Sequence, residues 1–109
     1  MDAIISQILR RLGITANYRG HRQLAVAIRL VLEDESRLCA VQKEVYQPIA
    51  DELCCPLDTV ERNIRTVIHR VWHTNKKRLF EYADYELTAP PTVSEFIDIL
   101  ANQARISSK

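Results

Sequence analysis

The sequence predicts an all-α fold, and two observations support that prediction. Only 2 of the 109 residues are glycine and aromatic residues make up 6%, while leucine, isoleucine, valine and alanine are abundant. Apolar residues also recur at steps of three and four through most of the chain, which places them on one face of an α-helix. A chain of this length can bury a core without disulfides or metals, so we expect a single domain over residues 1–109.

The N-terminal third is predicted to contain two helices. The first runs from about Asp2, as its N-cap, to Leu12, and Gly13 ends it as the C′ residue. The second runs from about His21 to Glu33. Their predicted inward positions are Ile4, Ile5, Ile8, Leu9 and Leu12, followed by Leu24, Ile28, Val31 and Leu32.

The segment from Ser36 to Tyr46 is predicted to be helical as well. Its inward positions are Leu38, Val41 and Val45. Pro48 lacks an N–H group, so it is either the first residue of the next helix or a kink between two helices.

The C-terminal third is predicted to begin with one short helix and an extended stretch within residues 76–87. The Ala-Pro-Pro sequence at 89–91 is a rigid break. Thr92, with Glu95 three residues later, forms a capping box that begins the last helix. That helix, at about 92–105, is predicted to bury Phe96, Ile97, Leu100 and Ala104.

The stretch from Ile49 to Arg65, IADELCCPLDTVERNIR, predicts a helix, a tight turn and a second helix. This pattern indicates a helix-turn-helix at about 48–73, with its second helix at about 57–73. Ala50 lies where the two helices would cross, and Cys54 stands where such turns commonly have glycine. Both Cys54 and Cys55 fit apolar positions. The predicted inward residues are Ile49, Ala50 and Leu53 on the first helix, then Val60, Ile64, Val67, Ile68 and Val71, with Trp72 continuing that stripe.

The side chains left on the outer surface of the second helix are of the types that bond to base edges and phosphates. The net charge of the chain is only +1, but Arg62 to Arg78 contains six lysines and arginines and no carboxylate. A near-neutral domain can therefore carry a basic face for double-stranded DNA. We assign base contacts to Thr59, Glu61, Arg62 and Asn63, and phosphate contacts to Arg65, Thr66, Lys76, Lys77 and Arg78. Lys76, Lys77 and Arg78 have an alternative, which is simple exposure to solvent without a DNA contact. Glu61 has one as well, which is to hold Arg62 or Arg65 in place.

Other classes of function are disfavoured. There is no Ser-His-Asp pattern, Gly-rich phosphate loop or set of metal-spaced carboxylates, so we expect neither an enzyme nor a cofactor. Cys54 and Cys55 with His69 and His73 suggest zinc, but adjacent cysteines rarely chelate one ion, so no metal is expected. An odd count of 3 cysteines favours a reducing, cytoplasmic location. No apolar run approaches the roughly 18 residues of a membrane span.

Two motifs resemble one family. VERNIRTVIHRVW at 60–72 is similar to the recognition helix of the C-terminal effector domain of Spo0A-type sporulation response regulators. PTVSEFIDILANQAR at 91–105 resembles the last helix of that domain. The resemblance implies a six-helix, DNA-binding domain that acts as a homodimer on DNA. It also implies that a phosphorylatable receiver domain controls the pairing and that a sigma factor of RNA polymerase is contacted.

The chain matches some family positions and departs at others. Glu61, Arg62 and Arg65 match positions on the DNA-facing side. Thr59 replaces a common arginine and Thr66 an expected histidine, so base preference is expected to differ. Cys55 and Pro56 replace a threonine pair, and the segment between Trp72 and Leu79 is shorter by about one helical turn. The alternative function is a protein-interaction module that kept this scaffold without binding an operator.

Overall fold

The computed structural model describes residues 1–108, which form six α-helices and, within that range, no strand. The helices are α1 (Asp2–Arg11), α2 (Gly20–Glu33), α3 (Gln47–Leu53), α4 (Leu57–Thr74), α5 (Lys76–Ala83) and α6 (Val93–Ser107). A 3₁₀ helix (Glu35–Ala40) and a π-helix (Gln42–Tyr46) connect α2 to α3. The predicted all-α, six-helix architecture is confirmed.

The core forms around α2, which contacts α1, α3, α4 and α6. Most of the predicted inward side chains are buried: Ile5, Ile8, Leu9, Leu12, Leu24, Ile28, Val31, Val45, Ile49, Ala50, Val60, Ile64, Val67, Ile68, Val71, Phe96, Ile97, Leu100 and Ala104. A few lie only partly buried at the edge of this core: Ile4, Leu32, Leu38, Val41, Leu53 and Trp72. The helical periodicity therefore identified the core face of every α-helix for which it was read.

The two ends of α1 differ in how well the sequence predicted them. Gly13 has a φ of +86° and ends the helix as predicted. Its N–H donates to the Arg10 carbonyl at 2.9 Å, and the N–H of Ile14 donates to the Leu9 carbonyl at 2.9 Å. The prediction of Asp2 as the N-cap is wrong, since the cap is Met1 and Asp2 lies in the first turn. There its carboxylate still faces the positive end of the helix dipole.

The segment 36–46 is helical, as predicted, but it forms a 3₁₀ helix and a π-helix, and Pro48 supplies a physical reason for the π-helix. Without an N–H, Pro48 cannot donate to the carbonyl of Glu44 four residues earlier. Arg37 replaces that donor, with its Nη1 2.7 Å from the Glu44 oxygen. The Gln47 N–H donates to the Gln42 carbonyl five residues back, which is the π-helical pattern. Pro48 thus lies in the first turn of α3, directly after a widened turn.

The capping box predicted at the start of α6 is confirmed. The Glu95 N–H donates to Thr92 Oγ1 at 3.1 Å, and the Thr92 N–H donates to Glu95 Oε1 at 3.1 Å. This cap fixes the direction in which α6 leaves the Pro90–Pro91 segment, beside α4.

Removing the Thr92 hydroxyl should measurably destabilise the fold. We expect Thr92→Ala to lower the free energy of unfolding by about 1 kcal/mol, because the Glu95 N–H loses its acceptor. The matching fall in Tm is roughly 4–8 °C for a domain of this size. Thr92→Ser, which retains the hydroxyl, is the matched control. Urea and thermal unfolding followed by circular dichroism would contradict this account if alanine and serine behaved alike.

Candidate nucleic-acid interface

The turn between α3 and α4 has the left-handed geometry that usually calls for glycine. Cys54 has φ 53° and ψ 49°, and the Cys55 N–H donates to the Ala50 carbonyl at 3.1 Å. Pro56 is extended, at φ −62° and ψ 146°, and begins α4. The expectation that both cysteines occupy apolar positions is wrong for Cys54, whose left-handed backbone turns its side chain to solvent, whereas Cys55 packs against the core.

A side chain at Cys54 costs conformational energy, and its shape should set the stability of the turn. A left-handed L-residue carries a penalty of about 1–2 kcal/mol, and branching at Cβ increases it. We expect Cys54→Val to lower the free energy of unfolding by roughly 1 kcal/mol or more. Cys54→Gly should leave that free energy equal or higher. Equilibrium urea unfolding of the three proteins tests this order, and a valine variant as stable as the glycine variant would contradict it.

The orientation of α4 is set by its apolar stripe. Val60, Ile64, Val67, Ile68 and Val71 are all buried in the core. The opposite side of the helix is therefore in solvent, and the side chains exposed there are Asp58, Arg62, Thr66, His69 and His73. We call this set, together with Arg65 at its edge, the outer face of α4.

The predicted contact residues on α4 are placed at its outer face and its two flanks. Arg62, Arg65 and Thr66 are exposed, whereas Thr59, Glu61 and Asn63 are half-buried. The carboxylate of Glu61 accepts from Arg65 at 3.1 Å from Nε and 2.9 Å from Nη2. Arg62 forms no ion pair with a carboxylate of residues 1–108. Glu61 therefore pairs with Arg65 and not Arg62, while the Thr66 hydroxyl donates to the Arg62 carbonyl at 2.8 Å.

An open groove is lined on one side by the Glu61–Arg65 flank of α4 and by most of its outer face, including Arg62 and Thr66. The π-helix and the Pro91–Ser94 segment at the start of α6 form its other walls. Tyr46 lines the groove but is 4% exposed. Burial raises the pKa of Tyr46 to about 12, with a smaller contribution from Glu61 and an opposing one from Arg65. The phenol is therefore neutral at physiological pH and adds no charge to this flank.

The three cations of α5 lie apart from the outer face of α4. The backbone breaks at Asn75, where φ is −146°, and α5 begins at Lys76. The Lys76 ammonium lies 4.2 Å from the Trp72 ring centroid, and Arg78 Nη1 lies 3.7 Å from the Glu81 carboxylate. Since α4 rises about 1.5 Å per residue, this cluster starts roughly 18 Å beyond Arg62 along the helix. The six cations of residues 62–78 therefore do not form one cluster in space.

Sequence reasoning missed the segment that covers the other flank of α4. A Cβ on Gly20 would lie 2.6 Å from Val67 Cγ2 and 3.1 Å from the Asn63 carbonyl oxygen. One turn further along, the Arg70 guanidinium lies 5.5 Å from the centroid of the Tyr18 ring. The only sequence signal was Gly20 itself, since a glycine at the start of a helix permits close backbone approach.

His69 and His73, considered as zinc ligands in the sequence, lie edge to face on the outer face of α4 with ring centroids 4.9 Å apart. Across residues 1–108, no group of three or more histidine, cysteine or acidic side chains is placed to hold a metal ion. Over the same residues, none of the helices combines the length and apolar character that crossing a bilayer requires.

The buried stripe of α4, its polar outer face and the tight turn at Cys54 define a helix-turn-helix domain of the class found in transcription regulators. The family model for the C-terminal domain of the sporulation initiation factor Spo0A matches residues 5–104 of the chain. The chain therefore belongs to the Spo0A C-terminal family, as its two motifs indicated. This is a family of DNA-binding effector domains of a sporulation regulator, and it is not a family of enzymes.

Proposed function

We propose that the 109 residues act as one domain that binds double-stranded DNA sequence-specifically, with α4 in the major groove. The observation that carries this proposal is the geometry of α4. Its apolar side is locked in the core, while Arg62 and its neighbours project together into solvent. A helix with its side chains is about 10–12 Å across, which fits a major groove about 12 Å wide.

Each predicted residue takes a role that follows from its position. Arg62, exposed and without an ion pair in residues 1–108, is suited to bidentate bonding to a guanine, with Thr59 and Asn63 reading neighbouring base edges. We assign Arg65 and Thr66 to phosphates, since both are exposed beside Arg62. Glu61 has two possible roles, accepting from a cytosine amino group or orienting Arg65. Lys76, Lys77 and Arg78 would reach phosphates only beyond the C-terminal end of α4.

The assembly on DNA follows from the size of the domain. One module of this kind buries only about 600–1,000 Å² of its surface against DNA, which supports two copies on paired sites. In the family that the chain resembles, the segment corresponding to Trp72–Leu79 is associated with contact to RNA polymerase, so we place the implied sigma-factor contact at the junction of α4 and α5. As a regulator of transcription, the protein would act in the cytoplasm.

A salt titration of duplex binding tests the proposal. Duplexes selected from a random pool should bind the chain tightly, and log K should fall steeply with log salt, by about 0.9 per neutralised phosphate. Scrambled duplexes of equal length are the control and should bind far more weakly. If no selected duplex binds even at about 50 mM salt, DNA binding is excluded and the protein-interaction alternative takes its place.

A further inference from the structure

The chain segment before α2 runs along one flank of α4. Tyr18 contacts Arg70 and Gly20 contacts Asn63 and Val67, so residues 18–20 follow α4 over about two of its turns. We call residues 15–20, which end at the first residue of α2, the flank loop. It lies on the side of α4 opposite the Glu61–Arg65 groove, since Asn63 and Arg70 project from that side.

The flank loop is held in place by hydrogen bonds. The Tyr18 N–H donates to the Thr15 carbonyl at 3.0 Å, and the His21 N–H to the Tyr18 carbonyl at 3.1 Å. The ring of His21 also bonds to the Ile14 carbonyl, 3.1 Å from Nδ1, and Ile14 is buried. These bonds hold the backbone of the loop in shape, and the contacts of Tyr18 and Gly20 place that backbone beside α4.

Two arginines on this flank are available to a ligand. Arg19 lies between the two residues that contact α4, and its side chain is exposed. Arg70 is exposed, and its guanidinium carbon lies over the Tyr18 ring, 5.5 Å from the ring centroid. Neither is paired with a carboxylate of the described chain, in contrast to Arg65 on the opposite flank. No acidic residue occurs between Gly13 and Gln23.

The cation–π contact with Tyr18 leaves Arg70 suited to a particular ligand chemistry. A guanidinium that lies over an aromatic ring keeps its N–H edges free, and that planar fork matches the oxygens of a phosphate. The ring also restricts the side chain, so less conformational entropy is lost when a phosphate binds.

We propose that Arg19 and Arg70 bind backbone phosphates of one DNA strand at the edge of the major groove, with Tyr18 as the residue that positions Arg70. This inference rests on the proposed insertion of α4 into the groove. Because α4 nearly fills the groove width, a segment fixed along its flank meets the adjacent phosphate wall. The flank loop is thus a second contact surface, separate in sequence from the helix-turn-helix.

Single substitutions of the two arginines test the inference. Arg19→Gln and Arg70→Gln should each reduce the slope of log K against log salt by about 0.9, for selected and scrambled duplexes alike. When the salt rises from about 50 to about 200 mM, the affinity of the wild type therefore falls by a factor that is about 3.5 times larger than the factor for each variant. Arg105→Gln is the matched control, because Arg105 bonds to Glu35 and the Val31 carbonyl at the far end of α2. Its slope should equal that of the wild type.

A double-mutant cycle tests whether Tyr18 acts by positioning Arg70 or only by packing against the core. Tyr18→Leu should reduce the slope only while Arg70 is present, so Tyr18→Leu in the Arg70→Gln background should change nothing further. Thermal melts establish that each variant is folded. If the wild type binds its selected duplex, the inference is overturned when the arginine variants keep the wild-type salt slope or change the base preference. Absence of binding by the wild type would overturn the proposed function and this inference together.

Discussion

Replacing Arg62 with alanine is expected to weaken binding to the selected duplex by roughly 1–3 kcal/mol and to relax the preference at one base pair. Arg62 is exposed on the outer face of α4, and no carboxylate of residues 1–108 competes for its guanidinium. Loss of a bidentate bond to a guanine removes the discrimination at that position. The affinity for duplexes changed at that base pair should fall much less.

The measurement is a competition series with labelled duplex, in which each base pair of the site is permuted in turn. Arg65→Ala serves as the control on the same helix, because Arg65 is held by Glu61 and is assigned to a phosphate. It should weaken all duplexes by a similar factor and lower the salt slope by about one unit. An Arg62→Ala variant that lost affinity for all sequences equally would show that Arg62 binds a phosphate.

Gly20→Ala is expected to destabilise the domain by about 1–3 kcal/mol, even though alanine is the better helix former. Helix propensity alone would favour alanine by up to about 1 kcal/mol. The new Cβ, however, would lie 2.6 Å from Val67 Cγ2 and 3.1 Å from the backbone oxygen of Asn63. Valine in a helix is nearly fixed in one rotamer, so α2 and α4 must move apart. Asn63 belongs to α4, so this movement should also displace the DNA-facing helix. The affinity of the molecules that remain folded should therefore fall as well.

Two further variants test whether the clash with Val67 causes the loss of stability in Gly20→Ala. Gly13→Ala is the control, since a Cβ there meets no atom within 4 Å and only its φ of +86° is unfavourable. It should lower stability by about 1–2 kcal/mol without changing the affinity of the folded protein for DNA. Adding Val67→Ala to Gly20→Ala should reduce the cost of the alanine at 20, as measured by a double-mutant cycle in urea. Fully additive effects would exclude a clash with Val67.

The parts of the fold that the sequence predicted well are those governed by local rules. The apolar stripes of α1, α2, α4 and α6 repeat at helical spacing, and the cap at Thr92 needs only residues three apart. The turn at Cys54 was placed correctly, although the exposure of its side chain was not. That error arises because a left-handed backbone redirects the Cβ, and the apolar pattern alone carries no information on φ.

The parts that the sequence failed to predict depend on contacts between distant residues. The π-helix follows from the N–H that Pro48 lacks, and Arg37 replaces that donor from the preceding 3₁₀ helix, a bond that periodicity cannot show. The Lys76–Arg78 cluster is separated from Arg62 by the length of α4, and the backbone break at Asn75 places it on a separate helix. The flank loop was missed because its proximity to α4 depends on how α2 packs, and a connector with little apolar pattern gives no sign of that packing.

The stacking of Trp72 also has a practical consequence. It is the single tryptophan of the chain, and at the junction of α4 and α5 it contacts the Lys76 ammonium and lies edge to face with the Phe80 ring. Its intrinsic emission therefore comes from one known place. An ultraviolet-excited spectrum reports directly on that junction, so docking of a partner there can be followed without attaching a dye or altering a residue.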